Sequence, residues 1–166
     1  MSSRTTLGPA APDLNGLDGS GLRIAVVASQ WHDTVMAGLL DGALRGLADC
    51  GVRDPAVVRV PGSFELPVAC ASLADHFDAL VALGVVIRGG TSHFDYVCDA
   101  ATRGITDVAV HTKTPIGFGL LTCNDEAQAL DRAWLKGSHG DKGYVAAQAA
   151  IATLTALSTV LASRPS

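Results

Sequence analysis

Between Ile87 and Phe94 the chain reads Arg88-Gly89-Gly90-Thr91-Ser92-His93, an order of residue types suited to an anion and a proton. Two adjacent glycines let backbone approach a ligand closely. A helix beginning just after them offers free N–H groups and the positive end of its dipole, which together attract a phosphate. His93 follows at once, and imidazole is the side chain best matched to moving protons near neutral pH. The same residues also read as a glycine turn with Thr or Ser capping a helix, and the segment alone leaves both readings open. It has neither the GxGxxG spacing of a dinucleotide loop nor the GxxxxGK pattern of a nucleoside triphosphate loop. A phosphate held here therefore belongs to a small substrate.

Other candidates carry the same double reading. Trp31 follows the first expected strand, where it is either a stacking platform or a core indole whose N–H needs a partner. Phe64 and Glu65 follow Pro61-Gly62, and the Glu65 carboxylate suits either a helix cap or an acceptor for substrate hydroxyls. Arg132 and Lys142 flank a late Gly- and His-containing loop, where solvated charge near a helix end is the ordinary fate of such residues. His32 shares the placement of His93 and stands as a reserve proton carrier.

Positioning these groups falls to alternating β and α patterns. Leu22 to Ala28 reads as a buried strand, followed by a helix with Val35, Leu39, Leu40, Ala43 and Leu47 on one face and an end at Gly51. Ala56 to Val60 is a second strand, leading through Pro61-Gly62 to a helix from Glu65 to His76. Ala79 to Ile87 is the most continuous apolar run and reads as a central parallel strand. Val97, Ala101, Ile105 and Val108 keep helical spacing, so the helix after His93 is expected to continue through Asp107 to His111. Ile116 to Thr122 is a fourth strand, Asn124 an expected cap for a helix from Asp125 to about Arg132, and Lys142 to Leu161 a long Ala-rich helix. The expected architecture is α/β, a three-layer αβα sandwich around a mainly parallel four-stranded sheet with right-handed crossovers. Ligands of such sheets bind beyond the carboxyl ends of the strands. That selects Ser29 to His32, Pro61 to Glu65, Arg88 to His93 and the turn after Thr122. Residues 1–20 lack periodicity and are expected to be a mobile tail, with 21–166 a single domain.

Composition excludes several classes of function. The chain has 166 residues, 48% of them hydrophobic and 17% charged, a surplus of apolar surface that other subunits would cover. A net charge of -4 with Lys and Arg scattered singly leaves no footprint for nucleic acid or an anionic membrane. Cys50, Cys70, Cys98 and Cys123 form no CxxC pair, which suits reduced thiols in a cytoplasmic protein better than disulfides or a metal site. No polar-free run reads as a membrane span of roughly 18 residues, and Met1 to Ser20 lacks the apolar stretch of a signal peptide.

Taken together, the motifs resemble the lumazine synthase family, in order, from about Leu22 to Leu157. They are Ala28-Ser-Gln-Trp-His32, Pro61-Gly-Ser-Phe-Glu-Leu-Pro67, Ala82-Leu-Gly-Val-Val-Ile-Arg-Gly-Gly-Thr-Ser-His-Phe-Asp-Tyr-Val-Cys98, Pro115-Ile-Gly-Phe-Gly-Leu-Leu-Thr122, and Ala129-Leu-Asp-Arg-Ala133 before Asp141-Lys-Gly143. The resemblance implies a flavodoxin-like fold and condensation of 5-amino-6-(D-ribitylamino)uracil with 3,4-dihydroxy-2-butanone 4-phosphate to 6,7-dimethyl-8-ribityllumazine, a transferase step of riboflavin biosynthesis. It implies no metal and no redox cofactor. By position, Trp31 would stack on the pyrimidine, Ser63, Phe64 and Glu65 would line its ribityl side, and Val85, Val86 and Ile87 would read the ring edge with backbone groups. Gly90, Thr91 and Arg132 would hold the phosphate, and His93 would move protons. Phe118, Arg132 and Lys142 would come from a neighbouring subunit. Ala127 and Trp134 depart from the family pattern without touching these roles. The loop from Ala133 to Asp141 is longer than in members that build a sixty-subunit shell, which points to a homopentamer.

Overall fold

In the computed structural model, which describes residues 12–163, four parallel strands form one sheet in the order β2-β1-β3-β4. Strand β1 (Ile24–Ser29) is buried at every position, and β3 (Ala79–Ile87) is buried through Val85, as expected of central strands covered on both faces. β2 (Ala56–Val60) and β4 (Ile116–Cys123) are the edges. Side-chain alternation sorts the strands onto two cores. Val26 and Val81 pack under α1 (Asp33–Asp49), α4 (Glu126–Asp131) and α5 (Lys142–Ala162), whereas Val27 and Leu80 pack under α2 (Leu66–Leu73) and α3 (His93–Thr112). The expected three-layer αβα arrangement is present. Full burial of side chains such as Leu39, Leu47 and Ile151 stabilises it by roughly 1.5–3 kcal/mol each.

Helices α1 and α5 lie close enough that glycine is required between them. A Cβ on Gly46 would come within 3.0 Å of the Tyr144 carbonyl oxygen, and one on Gly143 would collide with that of Leu39. The first half of α5 is buried here, while Leu157, Val160 and Leu161 near its end are exposed. This helix is long and apolar enough to cross a membrane by composition, a feature the run-based sequence reading passed over, but Ala146, Ala147, Ala150 and Ile151 belong to the domain core.

Several boundaries differ from the sequence reading. The expected helix from Glu65 to His76 is divided, with single tight turns at Ser63–Glu65 and Ala74–His76 flanking α2. Pro67 sits at the start of α2, where a missing N–H costs nothing. The cap of α4 is Asp125 rather than Asn124: its carboxylate accepts from the Gln128 N–H at 2.8 Å, and Gln128 in return accepts from the Asn124 N–H at 2.7 Å. Helix α3 runs unbroken through Asp107 to His111, as its spacing predicted. Of the expected tail, residues 1–11 lie outside the described part. Within 12–20, Leu17 packs on the core and the Gly19 N–H bonds to the Cys50 carbonyl.

Candidate functional site

The chain leaves β1 for β2 on one side and continues to β3 on the other, so β1 and β3 diverge at a topological switch point. A cleft of about 870 Å³ opens there, lined by Trp31, Phe64, Glu65, Ile87 and His93 among others. The first two loops are tied together by backbone. The N–H groups of Gln30 and Trp31 both donate to the Pro61 carbonyl, at 3.2 and 3.3 Å. Arg59 on β2 donates to the carbonyls of Ala28 and Ser29, closing the end of β1 against the edge strand.

Trp31 is 68% exposed and Phe64 63% exposed, so neither is a core residue; both line the cleft. Gly62 makes room for the indole: a Cβ there would lie 3.1 Å from Trp31 Cδ1. Next to Trp31, His32 adopts a left-handed backbone (φ 63), which costs a non-glycine residue roughly 1–2 kcal/mol. Ser63 is buried, and its hydroxyl donates to the Val85 carbonyl at 3.4 Å. Gly84 permits that contact, since a Cβ there would stand 2.6 Å from Ser63 Oγ. Glu65 accepts from the Gly62 N–H at 3.0 Å, so the cap reading holds while the carboxylate still lines the cleft.

His93 is the first residue of α3 and faces the cleft. Its N–H reaches Thr91 Oγ1 at 3.4 Å, and Ser92 makes no side-chain cap bond, so the capping alternative for this segment is only weakly realised. Gly89 and Gly90 have ordinary φ values, and a Cβ on either would meet nothing within 4 Å. Nothing among the described residues requires glycine at either position. Gly90 and Thr91 lie on the exposed β3–α3 connection, beside rather than within the cleft lining. Arg88, the cation in this segment, is turned away: its guanidinium lies over the Phe94 ring at 4.4 Å, donates to Asn124 at 3.1 Å and approaches Asp95 at 3.7 Å. The turn after β4, chosen by the strand-end rule, is thus bridged by Arg88 and does not line the cleft.

Tyr96, Val97, Asp99 and Ala100 also line the cleft and were not singled out from sequence. Residues 93, 96, 97 and 100 follow the i, i+3, i+4, i+7 spacing of one helix face, a signal available once His93 is placed inward. Asp99 is paired with Arg103 at 2.8 Å. No Lys or Arg lines the cleft among the described residues.

Phe118, Arg132 and Lys142 are not brought to this cleft. Phe118 is 48% exposed on edge strand β4, pointing with Leu120 to the α2/α3 side. Arg132 caps the end of α4 and donates to the Gln128 carbonyl at 2.9 Å. Lys142 opens α5 and is exposed.

Comparisons with known proteins identify the family of the chain. The model of the family described as 6,7-dimethyl-8-ribityllumazine synthase matches residues 21–158. The chain is 86% identical over 166 residues to the 6,7-dimethyl-8-ribityllumazine synthase of Cutibacterium acnes, covering 100% of both. It is 61% identical over 155 residues to the enzyme of that name from Pseudarthrobacter chlorophenolicus, covering 90% of this chain and 96% of the other. With the one from Streptomyces coelicolor the identity is 57% over 154 residues, covering 92% and 96%. A matched span enclosing every strand and the whole cleft, with full-length relatives at this identity, means that the chain belongs to the 6,7-dimethyl-8-ribityllumazine synthase family.

Proposed function

We infer that the cleft beyond β1, β2 and β3 is where this chain carries out its family's reaction. That reaction condenses 5-amino-6-(D-ribitylamino)uracil with 3,4-dihydroxy-2-butanone 4-phosphate to 6,7-dimethyl-8-ribityllumazine, with loss of phosphate and water. One observation carries the placement: Trp31, Ser63, Phe64, Glu65, Val85, Val86, Ile87 and His93, dispersed in sequence, surround a single cleft.

The pyrimidine stacks on Trp31, its ring edge against the ends of Val85 to Ile87, and its ribityl chain runs past Ser63 and Phe64 to Glu65, an acceptor for hydroxyls. The phosphate of the second substrate lies on the β3–α3 connection at Gly90 and Thr91, where glycine has no internal reason and backbone donors are exposed. The amine adds to the ketone and water leaves to give an imine. Elimination of phosphate leaves an enol that tautomerises to a new carbonyl; the ribityl-bearing nitrogen adds to it, and loss of a second water completes the ring. Each step moves a proton between nitrogen, oxygen or carbon, and His93 stands between the two substrate positions to carry it. Holding both substrates in register supplies much of the rest.

A cleft lined by Glu65 and Asp99 but by no described cation does not neutralise a phosphate by itself. Exposed Phe118 and Lys142 and half-buried Arg132 complete it from a neighbouring copy, Arg132 as a bidentate phosphate partner. The site is therefore shared in a homopentamer, the sixty-subunit shell being the alternative assembly, and exposed Trp134, Leu157, Val160 and Leu161 supply apolar surface for self-association. Free thiols at all four cysteines suit a cytoplasmic enzyme. The test mixes purified protein with both substrates and follows the lumazine chromophore against the uncatalysed condensation, alongside sedimentation. Acceleration by a ring-sized particle is expected; a rate equal to the uncatalysed one would overturn the reading.

A further inference from the structure

Asp141 is the one described buried side chain that leaves a polar atom without a hydrogen-bond partner. Its carboxylate is 6% exposed at the N-terminus of α5; Oδ2 receives the Arg45 guanidinium at 3.0 Å, while Oδ1 points at α1 beside Gly42. Burying a carboxylate with an orphan oxygen is costly, and an apolar side chain of similar size would often leave a fold more stable. Fixing one arrangement of the backbone is a recurrent use of such buried pairs.

The backbone that Asp141 fixes is that of Arg132. Asp141 bridges Ala133 in antiparallel fashion, the Lys142 N–H donates to the Arg132 carbonyl at 3.0 Å, and the Trp134 N–H donates to the Gly140 carbonyl at 3.0 Å. Both strands of this small bridge rest on glycines of α1. A Cβ on Gly38 would collide with the Ala133 carbonyl oxygen, and one on Gly42 would stand 2.5 Å from Asp141 Oδ1. Arg45 is itself steadied by Asp41 one turn earlier, at 2.8 Å, and lies over the Tyr144 ring at 5.6 Å. The chain on either side of the bridge therefore has one seat on α1, and the Asp141–Arg45 pair locks it there.

We propose that Asp141 is a positioning residue for the condensation. Through its ion pair with Arg45 it sets the base of the 133–141 loop and so aims Arg132 at the phosphate subsite of the neighbouring copy. The proposal rests on the reading of Arg132 as the phosphate's cation. Without the pair the bridge shifts on α1, and a bidentate contact, which depends on angle, weakens more than the fold does.

The assembled enzyme tests this with four variants, Arg132→Ala, Asp141→Ala, Arg45→Met and the double variant Asp141→Ala/Arg132→Ala. Measurements are KM for each substrate, kcat, the inhibition constant of inorganic phosphate and the sedimentation coefficient. Asp141→Ala and Arg45→Met are each expected to raise the KM of the phosphorylated ketone and the phosphate inhibition constant about tenfold, with the pyrimidine KM within about twofold. With Arg132 already gone, removing Asp141 is expected to add nothing further, the signature of one residue acting through another. Arg45 is partly exposed on α1, so Arg45→Met carries the test should Asp141→Ala fail to fold. If Arg132→Ala raises both phosphate readouts while the Asp141 and Arg45 variants leave them unchanged, the inference fails and the site reading stands. Equal rises in both KM values, additive with Arg132→Ala, would reduce Asp141 to a general structural residue. No effect of Arg132→Ala itself would remove the reading on which the inference rests.

Discussion

Trp31, Glu65 and His93 meet around one cleft although 62 positions separate the first from the last, whereas Arg132 and Lys142, only ten apart, do not line it. The first group is placed by the sheet. Parallel strands in register put every strand-end loop on the same edge, and the Pro61 carbonyl and Ser63 hydroxyl then fasten neighbouring loops together. The second group is placed by a helix cap and a short antiparallel bridge on the other layer, held by α1 rather than by the cleft. One fold thus gathers Trp31, Glu65 and His93 around its own cleft and leaves Arg132 and Lys142 outside it.

The comparison is open to attack at its extremes. His93→Ala is expected to lower kcat about a hundredfold with smaller changes in either KM, as for loss of a general acid and base; turnover at the full rate would transfer the proton steps to His32 or the substrate phosphate. Arg132→Ala is expected to cut kcat/KM for the phosphorylated ketone about thirtyfold, the size of a lost charge-assisted contact of about 2 kcal/mol. If the two halves belong to different copies, unfolding and reassembling a mixture of His93→Ala and Arg132→Ala chains restores part of the activity, because some interfaces then receive both intact halves. Mixtures no more active than their components would place Arg132 and His93 in one copy's site.

Smaller effects sharpen the contrast within the cleft half. Gly84→Ala drives a methyl onto Ser63 Oγ, at 2.6 Å in an ideal geometry, and is expected to destabilise the domain by about 2 kcal/mol, read as a lower denaturation midpoint. Cys70, beneath the same layer, has its thiol pushed up to about 12 from an ordinary 9.0 by burial. Because the folded value is the higher one, its contribution is complete below 9.0 and is lost as pH rises toward 12. Denaturation midpoints should fall with rising pH through that window, and less steeply in Cys70→Ala.

Much of this was legible without coordinates. The fully buried β1 and the mostly buried β3 follow from apolar runs, and α3 from the spacing of Val97, Ala101, Ile105 and Val108, because burial on one or both faces imposes those periods directly. Local competition was harder to read. Asn124 and Asp125 are both good caps, and only the position of Gln128 decided for Asp125; the pair of tight turns around α2 depends on how Gly62 and Phe77 leave the chain. Tyr96 and Asp99 were missed because nothing in their residue types distinguishes a cleft-facing helix position from a solvated one.

By itself, the sequence determined the burial of the central strands, the strand-end location of the cleft and the family, since these depend on residue type and short-range spacing. Tertiary structure alone decided that Arg88 is spent on Phe94, Asn124 and Asp95, that Arg132 and Lys142 do not line the cleft of their own chain, and that Asp141 reaches Arg45 across 96 positions. Each is a matter of direction between distant elements, set by packing of whole helices on a sheet, and no local pattern encodes it.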